Sequence, residues 1–481
     1  MAIPEELLED LEYRRETAVR DGGVARAVLD DLFADGAFQE IGRFADHAAA
    51  DPYMAETSLP GDGVVSGVGY LDGRPLAAFA QNLSVGSGSM GRVHADKICT
   101  ILDHASKAGT PVVGFYASLG GRLEEGMEAL AGYGQILNRL THMSGVVPQI
   151  AVVMGPCPGT GALLPSMADF IIMVRGRAGL YLSGPEVIEA VTGIAPSADE
   201  TGGADVHAEQ SGLAHFVVDT TEEAVVVARK LLSFLPSNNM TAMANVGDGT
   251  LDGSRDPSMD TFAPATLDEP FDVRPIIHRL VDDGDFLEVQ ERYAPTLVVG
   301  LGRIGGMLTG VVASQPMVRA GVLDVAACDK AARFVRFCDA FGIAVVTLVD
   351  APGFMPGADQ EHAGLVRYAA RLAYCYAEAS CPKITVVMRK AFGGAFLAMG
   401  SRDLGADMVF AWPTADVGLS GGDADRDVRA RYPSPYLTDG RATVADVIEP
   451  AQTRARVALA LRGLASKREM RVPRKHGTLP P

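Results

Sequence analysis

Leu32-Phe33-Ala34-Asp35-Gly36-Ala37-Phe38-Gln39-Glu40-Ile41 returns later in the chain as Leu280-Val281-Asp282-Asp283-Gly284-Asp285-Phe286-Leu287-Glu288-Val289. The echo then continues in order. Gly67-Val68-Gly69 with Gly73 answers Gly300-Leu301-Gly302 with Gly305, and Asp96-Lys97 answers Asp329-Lys330. Further on, Val152-Val153-Met154 answers Val386-Val387-Met388, and Ala168-Asp169 answers Ala406-Asp407. Solenoid repeats have periods of roughly 20–50 residues. Here the spacing is near half of a 481-residue chain, so the repeated unit is a whole domain. Two copies of one domain predict two versions of one site, an arrangement suited to a reaction between two similar carbonyl groups.

Within each copy, short apolar runs alternate with helix-length segments. Pro75-Leu76-Ala77-Ala78-Phe79-Ala80, Pro111-Val112-Val113-Gly114-Phe115 and Ile150-Ala151-Val152-Val153-Met154 have strand length, with helices expected over 94–108 and 123–144. The second half repeats the pattern, with helices over 328–341 and 361–379 and strands at Ala344 to Val349 and Lys383 to Met388. Such alternation indicates an α/β fold with βαβ crossovers. A stretch from Pro236 to Pro270 is rich in Ser, Asn, Gly, Asp, Thr and Pro and reads as a connection. The expected organisation is a domain over 1–240, a linker over 241–270 and a second domain over 271–481.

A formal charge of −18 argues against nucleic acid or an anionic membrane as partner. It leaves room for an anionic ligand held locally by backbone N–H groups. No run reaches the roughly 20 apolar residues that span a bilayer. The charged, acidic stretch from Met1 to Gly22 lacks the apolar core of a secretory signal, so a cytoplasmic location is expected. The six cysteines form no Cys-x-x-Cys pair and read as small core hydrophobes. The histidines lack metal-ligand spacing, and no protein metal site is expected.

Chemistry is expected at two corresponding turns. Val153-Met154-Gly155-Pro156-Cys157-Pro158-Gly159-Thr160-Gly161-Ala162 aligns with Val387-Met388-Arg389-Lys390-Ala391-Phe392-Gly393-Gly394-Ala395-Phe396. In both, a strand meets glycines and then a small-residue helix start. Glycine permits close backbone approach, and the first N–H groups of a helix have no partner within it. Such donors can hold a developing oxyanion. A further turn, Ala117-Ser118-Leu119-Gly120-Gly121-Arg122, has its counterpart at Asp350 to Gly357, and loops of this type at strand ends flank ligands in α/β folds. Neither matches a phosphate-binding Gly-x-x-x-x-Gly-Lys loop. A triad of Ser118, His104 and Asp169 lacks the Gly-x-Ser-x-Gly elbow.

Several longer motifs carry a family resemblance. Gly155-Pro156-Cys157, Asp169-Phe170, Ser183-Gly184-Pro185, Gly202-Gly203-Ala204 and Ser211-Gly212-Leu213-Ala214-His215 lie in the first half. Asp359-Gln360-Glu361-His362, Arg389-Lys390-Ala391-Phe392-Gly393-Gly394-Ala395, Ala411-Trp412-Pro413-Thr414-Ala415 and Lys475-His476-Gly477 lie in the second. Together they resemble the carboxyltransferase (β) subunit of biotin-dependent acyl-CoA carboxylases, most closely the propionyl-CoA carboxylase type. The resemblance implies two tandem crotonase-like βαβ-superhelix domains and a homohexamer built as a dimer of trimers. It also implies transfer of a carboxyl group from biotin to the α-carbon of an acyl-CoA through an enolate.

Carried over by position, Gly159 and Thr160 are the donors for the thioester oxygen, with Gly161, Ser118, Gly120 and Gly121 lining the acyl-CoA side. Gly394 and Ala395, with Gly393, form the biotin side. The chain has no Met-Lys-Met biotinylation motif, so biotin is expected on a separate protein, a biotin carboxylase or biotin carrier subunit. Some positions depart from the family pattern. Gly159-Thr160-Gly161 replaces Gly-Gly-Ala, Ala117 to Arg122 replaces Asp-Ser-Gly-Gly-Ala-Arg, and Leu397 stands where propionyl-type enzymes often have Asp, at a position associated with acyl-chain choice. Val417 to Arg441 is shorter than in the family. These departures leave two further readings, a biotin-independent decarboxylase acting on a malonyl-type thioester and a non-catalytic scaffold paralogue.

Overall fold

Each copy of the repeat opens with a three-residue strand laid antiparallel on a glycine-bearing one. Phe38–Glu40 pairs with Val64–Leu71, Glu40 opposite Gly67. Leu287–Val289 pairs with Leu297–Ile304, Glu288 opposite Gly300. The glycines leave room for a carbonyl and an aromatic ring of the short strand: a Cβ on Gly67 would stand 2.3 Å from Gln39 O and 2.7 Å from the Phe38 ring, and one on Gly300 2.5 Å from Leu287 O and 2.4 Å from the Phe286 ring. The computed structural model describes residues 3–33, 38–241, 253–421, 444–469 and 471–480. Ala34 to Ala37 of the first repeat motif, and most of the stretch from Val417 to Arg441, lie outside the described residues.

Two compact units, Met1–Met240 and Thr241–Pro481, carry one copy each. In the first, a seven-stranded sheet runs in chain order through Phe38–Glu40, Val64–Leu71, Arg74–Gln81, Val112–Tyr116, Gln149–Val153, Phe170–Val174 and Phe216–Val218. The first three strands are antiparallel and the rest parallel. Parallel strands need crossovers, and the helices Arg92–Ala108 and Met127–Met143 supply two of them. The second unit repeats this order through Leu287–Val289, Leu297–Ile304, Met307–Ser314, Ala344–Ala351, Lys383–Phe392, Met408–Ala411 and Asp446–Val447. This is the α/β architecture that the alternation of apolar runs predicts. Gln149–Val153 and Lys383–Phe392 are buried along their whole length, as central parallel strands covered on both faces must be.

The repeated Asp-Lys pair has a structural reason. Lys97 Nζ donates to the carbonyls of Gly61 and Val64. Lys330 Nζ donates to those of Gln290, Tyr293 and Leu297, at 2.7 to 2.9 Å. Val64 and Leu297 are the first residues of their strands, so in each unit a buried lysine ties down the same strand entry. Burial pushes the Lys97 ammonium down to about 8 and that of Lys330 to about 7.

All six cysteines are buried and free, as their apolar settings predict. Residues 253–270, which the composition marks as connection, pack onto the second unit. Met259 belongs to its core, and buried Arg389 lies 2.8 Å from Asp350 and stacks on Phe271. Arg389 also donates to the carbonyls of Thr266 and Glu269. Among the described residues no helix is long and apolar enough to cross a membrane.

Candidate active site

The first donor turn is assembled from an interrupted strand. Gln149–Val153 ends before the glycines, and Pro156–Pro158, paired with Gly179–Tyr181 in a two-stranded ladder, carries the chain onward. A 3-10 turn then spans Gly159–Ala162, so the N–H groups of Gly159 and Thr160 begin a helical turn without acceptors inside it. Gly159 has φ +58°, a left-handed backbone that glycine adopts without strain. Cys157, directly before the turn, is fully buried, and burial pushes its thiol up to about 12. It is therefore a packed thiol with no nucleophilic character at neutral pH.

This turn lines a cleft of about 890 Å³ together with Gly120, Gly121, Arg122 and Tyr133. The loop Ala117 to Arg122 reaches it because Met90 pairs with Gly121 in a parallel bridge. Met90 N donates to Gly120 O, and Arg122 N returns a bond to Met90 O. Ser118 is buried beside the cleft, its Oγ accepting from Gly120 N at 3.1 Å. Arg122 faces inward, 2.6 Å from both Asp62 and Glu125, so its charge is spent on the fold. Tyr133, on the helix Met127–Met143, stands behind the turn, its Oη 3.5 Å from where a Cβ on Gly161 would sit. Burial pushes its phenol up to about 12, with Ser118 opposing the shift, so the hydroxyl stays neutral.

The second turn is built differently. Lys383–Phe392 runs without interruption into the helix Gly393–Ala398, its last residues paired with Asp416–Gly418. In the first unit Pro156 and Pro158, which lack an N–H, flank the corresponding residue, so the strand there breaks into two pieces. The expected strand end at Met388 is therefore four residues short of the observed one. Gly393 has φ +57°, and a Cβ there would stand 2.9 Å from Leu419 O. Gly394 is exposed against the Phe354 ring, with room for a Cβ only at 3.3 Å. Ala395 is buried, and Leu397 is about half-exposed on the same helix.

A carboxyl transferase domain matches residues 20–428. The chain belongs to the carboxyl transferase family. It is 41% identical to the propionyl-CoA carboxylase carboxyltransferase subunit of Haloferax mediterranei, with 99% of each chain covered. It is 44% identical to the methylmalonyl-CoA decarboxylase subunit alpha of Veillonella parvula, covering 95% of this chain and 92% of that one. Among solved structures, a transcarboxylase 12S subunit with methylmalonyl-coenzyme A and methylmalonic acid bound superimposes with a TM-score of 0.95 at 40% identity, covering all of both chains. The two tandem crotonase-like domains that the resemblance implies are thereby shown, as is a carboxyltransferase acting in acyl-CoA carboxyl transfer. The decarboxylase-only and scaffold readings are not favoured.

In this carboxyl transferase, Gly120, Gly121, Gly159, Thr160 and Gly161 converge on one cleft of the first unit, with Ser118 beneath them. Gly393, Gly394, Ala395 and Leu397 lie on one short helix of the second unit. The sequence gives no sign of the polar groups packed under the first site. Tyr133, His94, Gln81, Asp62 and Glu125 are scattered over two helices, a strand and two turns, and each alone resembles an ordinary polar residue in an amphipathic segment. Only Arg122, at the end of the glycine loop, lies in a stretch that stands out.

Proposed function

We propose that this chain transfers a carboxyl group between biotin carried on a separate protein and the α-carbon of an acyl-CoA, with methylmalonyl-CoA and propionyl-CoA as the acyl pair. The observation that carries this reading is the donor turn repeated at Gly159 and Gly393 with the same left-handed backbone. The relatives named above, a propionyl-CoA carboxylase subunit and a methylmalonyl-CoA decarboxylase subunit, support the choice of acyl group. Both names concern one pair of compounds, related by gain or loss of one carboxyl.

The N–H groups of Gly159 and Thr160 hold the thioester oxygen and stabilise the enolate as negative charge develops on it, the term that commonly dominates such catalysis. Gly161, Ser118, Gly120 and Gly121 shape the cleft around the acyl group. Thr160 places a side chain where the family has glycine, narrowing the space beside the thioester.

The residues of the second turn suit a neutral ureido ring. Gly394 offers an exposed N–H beside the Phe354 ring, and the lack of a Cβ leaves a shallow cradle. Gly394 and Ala395 would hold the ureido oxygen, with Gly393 turning the chain toward it. What biotin supplies when bound is a ring nitrogen that carries the carboxyl group. Its carrier is a separate subunit, with a biotin carboxylase as its partner. The chain assembles as a homohexamer, consistent with the hexamer assembly described for the transcarboxylase 12S subunit, and works in the cytoplasm, where acyl-CoA is available.

Incubation of the purified chain with methylmalonyl-CoA and biocytin, a free biotinyl-lysine, tests the reading. Propionyl-CoA formed only in the presence of biocytin supports it. Release of CO2 without biocytin supports the decarboxylase reading instead, and no turnover in either condition overturns enzymatic transfer.

A further inference from the structure

A buried polar chain brackets the loop Ala117 to Arg122 from both ends. At the start, Ala117 N donates to Gln81 Oε1 at 3.1 Å. Gln81 Nε2 in turn meets His94 Nε2 at 3.2 Å. His94 Nδ1 lies 2.8 Å from the Asp62 carbonyl, and His94 N donates to Asp62 Oδ2 at 2.7 Å. At the far end, Asp62 Oδ1 is 2.6 Å from Arg122 Nη2. His94 and Asp62 are fully buried, with Gln81 and Arg122 nearly so.

The bonds permit one assignment of protons. A carbonyl only accepts, so His94 Nδ1 carries the hydrogen toward Asp62. Ala117 N–H requires the Gln81 oxygen, which turns the Gln81 amide nitrogen toward His94. His94 Nε2 must then accept, and the ring is neutral. The charged groups around it are Asp62, Lys97 and Arg122, and burial holds the imidazole down to about 3. A proton on Nε2 would oppose the Gln81 amide hydrogens and turn the amide over, leaving Ala117 N–H without its acceptor.

We propose that His94 is a positioning residue of the acyl-CoA cleft: through Gln81 and Asp62 it fixes both ends of the glycine loop that lines it. The inference rests on the reading of that cleft as the acyl-CoA site. Nothing about it requires His94 to touch substrate.

Two variants test it in the full-length chain. In His94→Asn the amide can still donate to the Asp62 carbonyl, but the acceptor for Gln81 is lost. Hydrogen exchange over 117–122 should accelerate about tenfold, and KM for methylmalonyl-CoA should rise about three- to tenfold, the worth of a buried hydrogen bond. Neither kcat nor KM for biocytin should change more than about twofold by the same reasoning. In Gln81→Glu, a carboxylate can accept from both Ala117 N and a protonated His94 ring, so KM should be near normal at low pH and rise with pH, whereas the wild type shows no such trend. Unchanged exchange and unchanged KM in both variants overturn the proposal. If the wild type binds no acyl-CoA, the reading of the cleft fails, while faster exchange in His94→Asn still shows the loop held by His94.

Discussion

Gly159 and Gly393 have almost the same backbone twist, φ +58° and +57°, at corresponding places in the two units. Each stands where a strand gives way to a helical turn and so aims the following N–H groups. The surroundings differ: no atom lies within 4 Å of a Cβ built on Gly159, whereas Leu419 O is 2.9 Å from one built on Gly393. Left-handed backbone costs an L-residue about 1–2 kcal/mol. Gly159→Ala should therefore destabilise the protein by about that amount, and Gly393→Ala by more, since the clash adds to the strain. Urea unfolding of the two variants checks the order, and equal losses would show that the Leu419 contact is readily relieved.

Tyr133 Oη is buried beside Ser118 but makes no well-formed hydrogen bond among the described residues. An unsatisfied buried hydroxyl costs about 1–3 kcal/mol, so Tyr133→Phe is expected to leave stability unchanged or raise it by about 1 kcal/mol. A loss of stability in calorimetry would show that Ser118 or a bound water satisfies the phenol.

His94 makes the stability of the protein fall in acid. Its pKa is near 3 in the folded chain against 6.5 for the free group. Between those values the unfolded chain binds a proton that the folded one refuses. Stability therefore drops as pH falls below 6.5, by up to about 1.4 kcal/mol per pH unit from this group. Melting temperatures measured from pH 7 to pH 4 should fall less steeply for His94→Asn than for the wild type. Parallel curves would mean that the imidazole is protonated in the folded protein.

Leu397 is about half-exposed on the helix Gly393–Ala398, two residues beyond Ala395. Leu397→Asp is expected to shift the ratio of kcat/KM between propionyl-CoA and longer acyl-CoA esters. It should cost no more than about 0.5 kcal/mol of stability, as is usual for a surface change. An unchanged ratio would remove Leu397 from acyl-chain choice.

The duplication, the alternation of strands with helices and the two glycine turns were legible in the sequence because each rests on local signals. Apolar runs of strand length mark the sheet, and glycines mark the backbone turns. The polar chain through Gln81, His94 and Asp62 was not legible, because it joins a strand, a helix and a turn through side chains with no shared spacing. Arg389 shows the same limit. Its contacts with Thr266 and Glu269 draw a stretch with connection-like composition onto the second unit, and composition alone carries no sign of the guanidinium that does so. The break of the first central strand also depends on context: Pro156–Pro158 keeps the pairing with Gly179–Tyr181 that Lys390–Phe392 makes with Asp416–Gly418, but only the second strand also rejoins its neighbour, Ala391 opposite Ala351.

If the two copies of the turn hold two different carbonyl groups, disabling one should leave binding at the other intact. Gly394→Pro makes that separation, because proline deletes one N–H donor and is tolerated in the first turn of a helix. Methylmalonyl-CoA affinity and carboxyl transfer to biocytin would be measured on the same preparation. Acyl-CoA affinity should stay within about twofold of wild type while transfer falls about a hundredfold or more, the usual cost of one oxyanion donor. Acyl-CoA affinity falling in step with transfer, or transfer left intact, would contradict that separation.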